Sequence, residues 1–162
     1  MNTSVTELSL AQASKALQRG DLTSRALTEA LLERIARLQP VLNCFISIEA
    51  DDALAMADAA DAEISAGRRR GPLHGIPLAH KDAFDREGKV TTIGTRIFTE
   101  PATFTATAIQ RLNDAGAVNL GALHMDELAA HGYGQNRTFG ICLNPWNADH
   151  VIGGSSGGSA VA

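Results

Sequence analysis

Aromatic side chains are scarce, with five Phe, one Tyr and one Trp in 162 residues. The one basic run, Arg68-Arg69-Arg70, therefore lacks the interleaved aromatics of a nucleic-acid surface and reads as a solvated, glycine-flanked loop. Cysteine is as sparse. Cys44 and Cys142 lie far apart without metal-ligand spacing, which points to a reducing, cytoplasmic setting. No excess of positive charge exists: 14 basic against 18 acidic residues leaves −4. That balance argues against a protein whose main task is neutralising phosphates, so no direct nucleic-acid binding is expected. Long apolar runs are missing too. The Ala-rich stretch 50–66 comes nearest to the roughly 18 residues of a membrane span, but Asp51, Asp52, Asp58, Asp61 and Glu63 interrupt it. The opening Met1–Glu7 has neither the basic nor the apolar region of an export signal. A soluble protein without a membrane partner is expected.

What is present suits a globular domain: 44% apolar and 20% charged residues, in a chain long enough for one sizeable core. The first third reads as helices. Ser9 and Gln12 have the spacing of a capping box, with a competing box at Ser4 and Glu7, and Gly20 stands where a helix should end. Thr23 or Ser24 opens a second helix with an apolar stripe of Leu27, Leu31, Ile35 and Leu38, and Pro40 should stop it. Its opposite, charged face is expected to be solvated. Leu42–Ile48 suggests a short strand, and residues 51–65 a third helix with a small face of Ala53, Ala57 and Ala60. From Gly71 the character changes to strand and loop. A strand near Ile76–Ala79, buried on both faces, should deliver Lys81 and Asp82 at its end. A helix over 106–115, a β-run over Val118–Leu120, a brief helix over Met125–Ala130 and a turn at Asn144-Pro-Trp-Asn follow. Strand and helix alternate, so the fold class is α/β, with the N-terminal helices (1–66) packed on one side.

The Gly/Ser run from Gly153 to Ser159 has too little side-chain volume to build a core. It can bring backbone N–H groups and hydroxyls to a ligand, hold a phosphate, or serve as a linker. As a phosphate loop it lacks the lysine that should follow Gly158, where Ser159 stands. As a linker it is unconvincing, because Val151-Ile152 and Ala160-Val161-Ala162 read as buried flanks. Lys81, at the end of an apolar strand, would be desolvated, which lowers a lysine pKa and makes its amine a competent base. Paired with serine hydroxyls, that amine gives a serine–lysine hydrolase site. His124, Asp126, His131 and His150 could ligate a metal, but none has helical zinc-site spacing, so neither metal nor cofactor is expected.

Three motifs now stand in order: Gly71-Pro-Leu-His-Gly-Ile-Pro-Leu-Ala-His-Lys-Asp82, then Phe139-Gly with Asn144-Pro-Trp146, then Gly153-Gly-Ser-Ser-Gly-Gly-Ser-Ala160. Together they resemble the amidase signature family. The resemblance covers most of the chain. It implies N-terminal helices packed on a mixed central sheet flanked by helices (67–162), and hydrolysis of carboxylic amides through a Ser–cis-Ser–Lys triad and an acyl-enzyme. Lys81 would be the base and Ser155 the bridging serine, preceded by a cis peptide. Ser156, Asp82, Gly153 and Gly154 would support them, while Ala130, His131 and Tyr133 would line the acyl pocket. In that family the nucleophilic serine and oxyanion hole lie further on. The resemblance therefore implies the N-terminal part of a single amidase domain, incomplete at its C-terminus, inactive alone, and aggregation-prone for want of later strands. The expected partner is a small amide, with a homodimer among the compatible states. The aromatic scarcity gives no sign of a pocket for long acyl chains. One alternative is the glutaminase component of a tRNA-dependent amidotransferase, its A subunit, against which His80 and His131-Gly-Tyr-Gly-Gln135 weigh slightly. Another is a non-catalytic module binding an anion through the Gly/Ser loop.

Overall fold

The computed structural model describes residues 4–162. Positions 1–3, part of the opening read above for an export signal, lie outside the described residues. Contacts divide the chain into two compact units, each gathered from three stretches. Of the described residues, those up to 36, with 49–78 and 110–120, make the first, and 37–48, 79–109 and 121–162 the second.

In the first unit, α1 (Leu10–Arg19) opens on the expected capping box: Ser9 Oγ accepts from Gln12 N–H, and Gln12 Oε1 accepts from Ser9 N–H. Gly20 closes the helix in the left-handed region at φ 75°. The competing Ser4 site starts only a 3-10 turn over Val5–Glu7. The apolar face of α1 buries Ala13 and Leu17 with Leu27 and Ile76, and Val5, Leu8, Leu22 and Leu31 pack against them. Helix α2 (Ser24–Leu42) is capped twice. Thr23 Oγ1 accepts from Ala26 N–H at 3.0 Å, and the Asp61 carboxylate takes the N–H groups of Ser24 (2.7 Å) and Arg25 (2.9 Å). Those N–H groups have no partner within the helix, and a carboxylate there also meets the positive end of the helix dipole. Helix α3 (Ala50–Ser65), which supplies Asp61, buries the expected alanine face of Ala53, Ala57 and Ala60.

Pro40 does not stop α2, contrary to expectation. Proline removes a single N–H from the ladder near the helix end, and the ladder resumes with Asn43 N–H donating to Gln39 O at 2.9 Å. Asn43 ends the turn at φ 50°. The arginine loop is also less solvated than expected. Arg69 is half-buried and donates to Ser14 O and Oγ, while Arg70 grips both carboxylate oxygens of Glu63. Arg68 alone of the three is exposed without such a bond among those described.

Three strands form a sheet of order β1-β3-β2, with β1 at Phe45–Ile48, β2 at Pro77–Lys81 and β3 at Val118–Leu123. Strands β1 and β3 pair antiparallel through Phe45↔Leu123, Ser47↔Ala122 and Ile48↔Gly121, with a bulge between Phe45 and Ser47. At Gly121 the backbones approach so closely that a Cβ would collide with Ser47 O. Strand β2 runs parallel to β3, since Val118 N–H reaches Ile76 O and Asp82 N–H reaches Leu123 O in the same direction. Helix α4 (Thr107–Asp114) connects them, with Ile109 buried. The sheet is therefore mixed, as expected for this α/β chain. Strand β2 differs from expectation in one respect. It lies at the sheet edge, and all its residues except His80 are only half-buried, because β3 alone flanks it. Pro77 opens it, a position where a missing N–H costs no ladder bond. A two-stranded ribbon, β4 (Gln135–Asn136) with β5 (Gly140–Ile141), and a short helix α5 (Gly157–Val161) complete the second unit.

The double cap on α2 is testable in the complete polypeptide. Asp61→Ala is expected to lower stability by about 1–2 kcal/mol through two orphaned N–H groups. A urea midpoint unchanged from that of the parent would show that Thr23 suffices.

Candidate active site

Lys81 is the last residue of β2, and its Nζ donates to Ser155 Oγ at 2.6 Å. The two positions are 74 residues apart and both lie in the second unit. Lys81 and Ser155 are half-buried. The peptide bond between Gly154 and Ser155 is cis. The Ser155 carbonyl accepts from Asp126 N–H at 3.1 Å, which ties the serine to the segment leaving β3.

The small residues of the run are fitted to their surroundings. A Cβ on Gly154 would collide with Asp126 Oδ2 and crowd Gly132 Cα, and one on Gly157 would strike Ile152 at 2.5 Å. One on Gly158 would sit 2.5 Å from both Cys44 O and His124 N. Gly153 needs its freedom for another reason, since its φ is 76° although a Cβ there would meet only open space. The expected burial of the flanks is overturned: Val151 is 60% exposed and Ala160 is exposed, while Gly157 and Gly158 are the buried members. Backbone packing, which needs the smallest side chains, fills the space that apolar flanks were expected to fill. Ser156 is exposed and supports α5 through its carbonyl, which accepts from Ser159 and Ala160 N–H.

Asp82, next to the lysine, is 3% exposed. Its carboxylate gathers the N–H and hydroxyl of Thr92 and the N–H of Gly94, and its carbonyl takes Ile93 N–H. It thus holds the 92–94 turn against the end of β2. Asn136, which no sequence pattern singled out, holds the other side. Its amide donates to Gly94 O (2.7 Å) and Met125 O (2.9 Å) and accepts from Thr138 and Phe139 N–H. The only hint in the sequence is an Asn two and three residues ahead of those N–H groups, the spacing of an Asx turn.

The segment 125–133 departs from the brief helix expected there. Met125 and Asp126 are fully buried and extended, and only Glu127–Ala129 make a 3-10 turn, with Leu128 and Ala129 at positive φ. Asp126 is held straight by its N–H bond to Ser155, which competes with helix formation. Ala130, His131 and Tyr133 are exposed, with the His131 and Tyr133 rings stacked at 6.5 Å. Tyr133 N–H donates to Asp126 Oδ2 at 3.1 Å. Among the described residues no three His, Cys, Asp or Glu side chains are grouped to hold a metal ion. No helix of the described residues is long and apolar enough to cross a membrane.

The other reactive side chains nearby are electrostatically quiet. Burial pushes the Cys142 thiol up to about 12 and raises Cys44 as well, so neither supplies a thiolate near neutral pH. Burial also holds His124 below its ordinary value, against the opposing pull of the Gly140 carbonyl and Asp126.

A family model described as Amidase matches residues 26–162, most of the chain. The chain belongs to the amidase family. Among curated amidase-family relatives, the A subunit of the glutamyl-tRNA(Gln) amidotransferase of Halorhodospira halophila is 49% identical over 155 residues, covering 94% of this chain and 32% of that protein. Among solved structures, the native peptide amidase of Stenotrophomonas maltophilia matches with a TM-score of 0.90 at 38% identity, over 96% of this chain and 34% of that one. A bacterial aryl acylamidase of the amidase signature enzymes superposes with a TM-score of 0.90 at 26% identity, over 98% and 34%. The chain thus spans about a third of the length of the amidase-family relatives it matches.

Two buried imidazoles predict the acid side of stability. His74 accepts Arg70 N–H at Nδ1, and burial holds it, like His124, below the ordinary 6.5. Below that value the unfolded chain binds more protons, so this contribution is complete above pH 6.5 and is lost as pH falls. Denaturation midpoints should therefore decline from pH 7 to pH 5. A flat profile in a His74→Gln, His124→Gln double variant would support the assignment, whereas a flat profile in the parent would contradict it.

Proposed function

We propose that this chain carries the proton-relay part of a serine-dependent amide hydrolase. The observation that supports it is the 2.6 Å contact between the Lys81 amine and the Ser155 hydroxyl. In this reading the Lys81 amine takes the Ser155 proton while Ser155 takes the proton of a second, nucleophilic serine. That serine comes from residues outside the third of the family's length spanned here, as the resemblance to the family implies. Its oxygen bonds to the amide carbon, and the carbonyl electrons move to oxygen. When the tetrahedral species collapses, the C–N bond breaks and the relay returns the proton to the leaving amine. Water then adds to the acyl-serine by the same route, releasing the acid and restoring both serines. Asp82 keeps the end of β2 in place, and the exposed Ala130, His131 and Tyr133 form one wall for a small amide.

A second reading shares this chemistry and places it in a larger assembly. The relative from glutamyl-tRNA(Gln) amidotransferase reaches 49% identity, above the 38% of the peptide amidase. In that case the amide is glutamine and the ammonia passes to a partner protein.

The test uses the complete polypeptide. Lys81→Ala and Ser155→Ala should each lower kcat on simple amides by about 10⁴-fold or more, and should block labelling of a serine by a fluorophosphonate. Retained labelling and activity in both variants would overturn the relay. Co-purifying partner proteins and glutamine-dependent amidation of charged tRNA would favour the second reading. Phosphate binding by calorimetry, unaffected by Lys81→Ala and without any hydrolysis, would point to an anion-binding module.

A further inference from the structure

Asp126 is a costly residue to keep. It is completely buried, and carboxylates are rarely so unless paired. Among the described residues no cation forms an ion pair with it. Its Oδ1 has no hydrogen-bond partner among the described residues, and Oδ2 has one, the N–H of Tyr133. Stability alone would be served as well by a neutral side chain of similar shape. What the residue does have is position. Its N–H holds the Ser155 carbonyl at 3.1 Å, and its carboxylate holds the Tyr133 backbone. The same carboxylate lies so close to Gly154 that no Cβ would fit there. One residue therefore touches both the Gly154–Ser155 linkage and the loop beside it.

From this we infer that Asp126 is a positioning residue for the amide-hydrolysing relay. Its main-chain N–H and its carboxylate together fix where Ser155 stands relative to Lys81 and relative to the 131–133 loop. This rests on the functional reading above. The mechanism is geometric. Oδ2 accepts Tyr133 N–H and draws the loop in, Gly132 Cα then closes on Gly154, and the linkage is gripped between Gly132 and Asp126. Without the acceptor, Tyr133 N–H is orphaned, the loop moves out, and Ser155 Oγ gains freedom to leave Lys81 Nζ. A misplacement of about 1 Å in such a relay can cost about 100-fold in rate.

The test compares Asp126→Ala with Asp126→Asn in the complete polypeptide, on a small amide and with a fluorophosphonate label. Asp126→Ala should lower kcat and the labelling rate together by about 10- to 100-fold while KM stays within about twofold. Asp126→Asn keeps an oxygen able to accept Tyr133 N–H and should restore both rates to within about threefold of the parent. A role confined to stability would lower the melting temperature and leave kcat per folded enzyme alone, which would overturn the inference. So would an Asn variant as slow as the Ala variant. Should Asp126→Ala fail to fold, Asp126→Ser takes its place. Its oxygen sits on a shorter arm, so an intermediate fall in kcat is expected and parental kcat contradicts the inference. A parent that labels no serine and hydrolyses no amide sinks the functional reading and this inference with it. An active parent with unaffected Asp126 variants sinks this inference alone.

Discussion

An amine and a hydroxyl from positions 74 residues apart share one short hydrogen bond, and the surrounding structure is arranged to hold that bond in place. The amine arrives on a strand whose two ends are fastened to the central strand, by Ile76 O on one side and Asp82 N–H on the other. The hydroxyl arrives on a backbone fastened by its own carbonyl to Asp126 N–H. One hydrogen bond contributes only about 1 kcal/mol net, too little by itself to order two free backbones. Fixing both backbones first lets the contact form without the cost of ordering a flexible loop.

That requirement explains the composition of the run around Ser155. Glycine occurs where a Cβ would strike something: Asp126 at 154, Ile152 at 157, and the backbone of Cys44 and His124 at 158. The run looks like a flexible linker in composition and behaves as a packed element in space. The same packing acts on the neighbouring thiols and imidazole: burial raises Cys44 and Cys142 and holds His124 below its ordinary value.

Much of the secondary structure is legible in the sequence because local rules dominate there. The Ser9–Gln12 box, the Gly20 stop, the alanine face of α3 and the Asn144 turn each rest on successive spacings of four residues or fewer. Pro40 is a local miss, and the others depend on partners far away. Pro40 is tolerated because a single missing N–H near a helix end costs little, and β2 is half-exposed because the sheet order puts it at an edge. The arginine run finds Ser14 and Glu63, which no spacing rule connects to it. Lys81 and Ser155 are a similar case. Each can be suspected from its own surroundings, but their pairing comes from resemblance to a family, since nothing local links positions 74 apart. Asn136, and the part Asp126 plays beside Ser155, leave no local signal, because their role lies in which backbone groups their side chains reach.

The central claim is a statement about where two atoms stand, and a crystal structure of the complete polypeptide measures it directly. Lys81 Nζ and Ser155 Oγ should lie within about 3 Å of each other, with Ser155 O on Asp126 N–H. A well-ordered Lys81 side chain turned to bulk solvent, with Ser155 Oγ bonded elsewhere, would contradict the account.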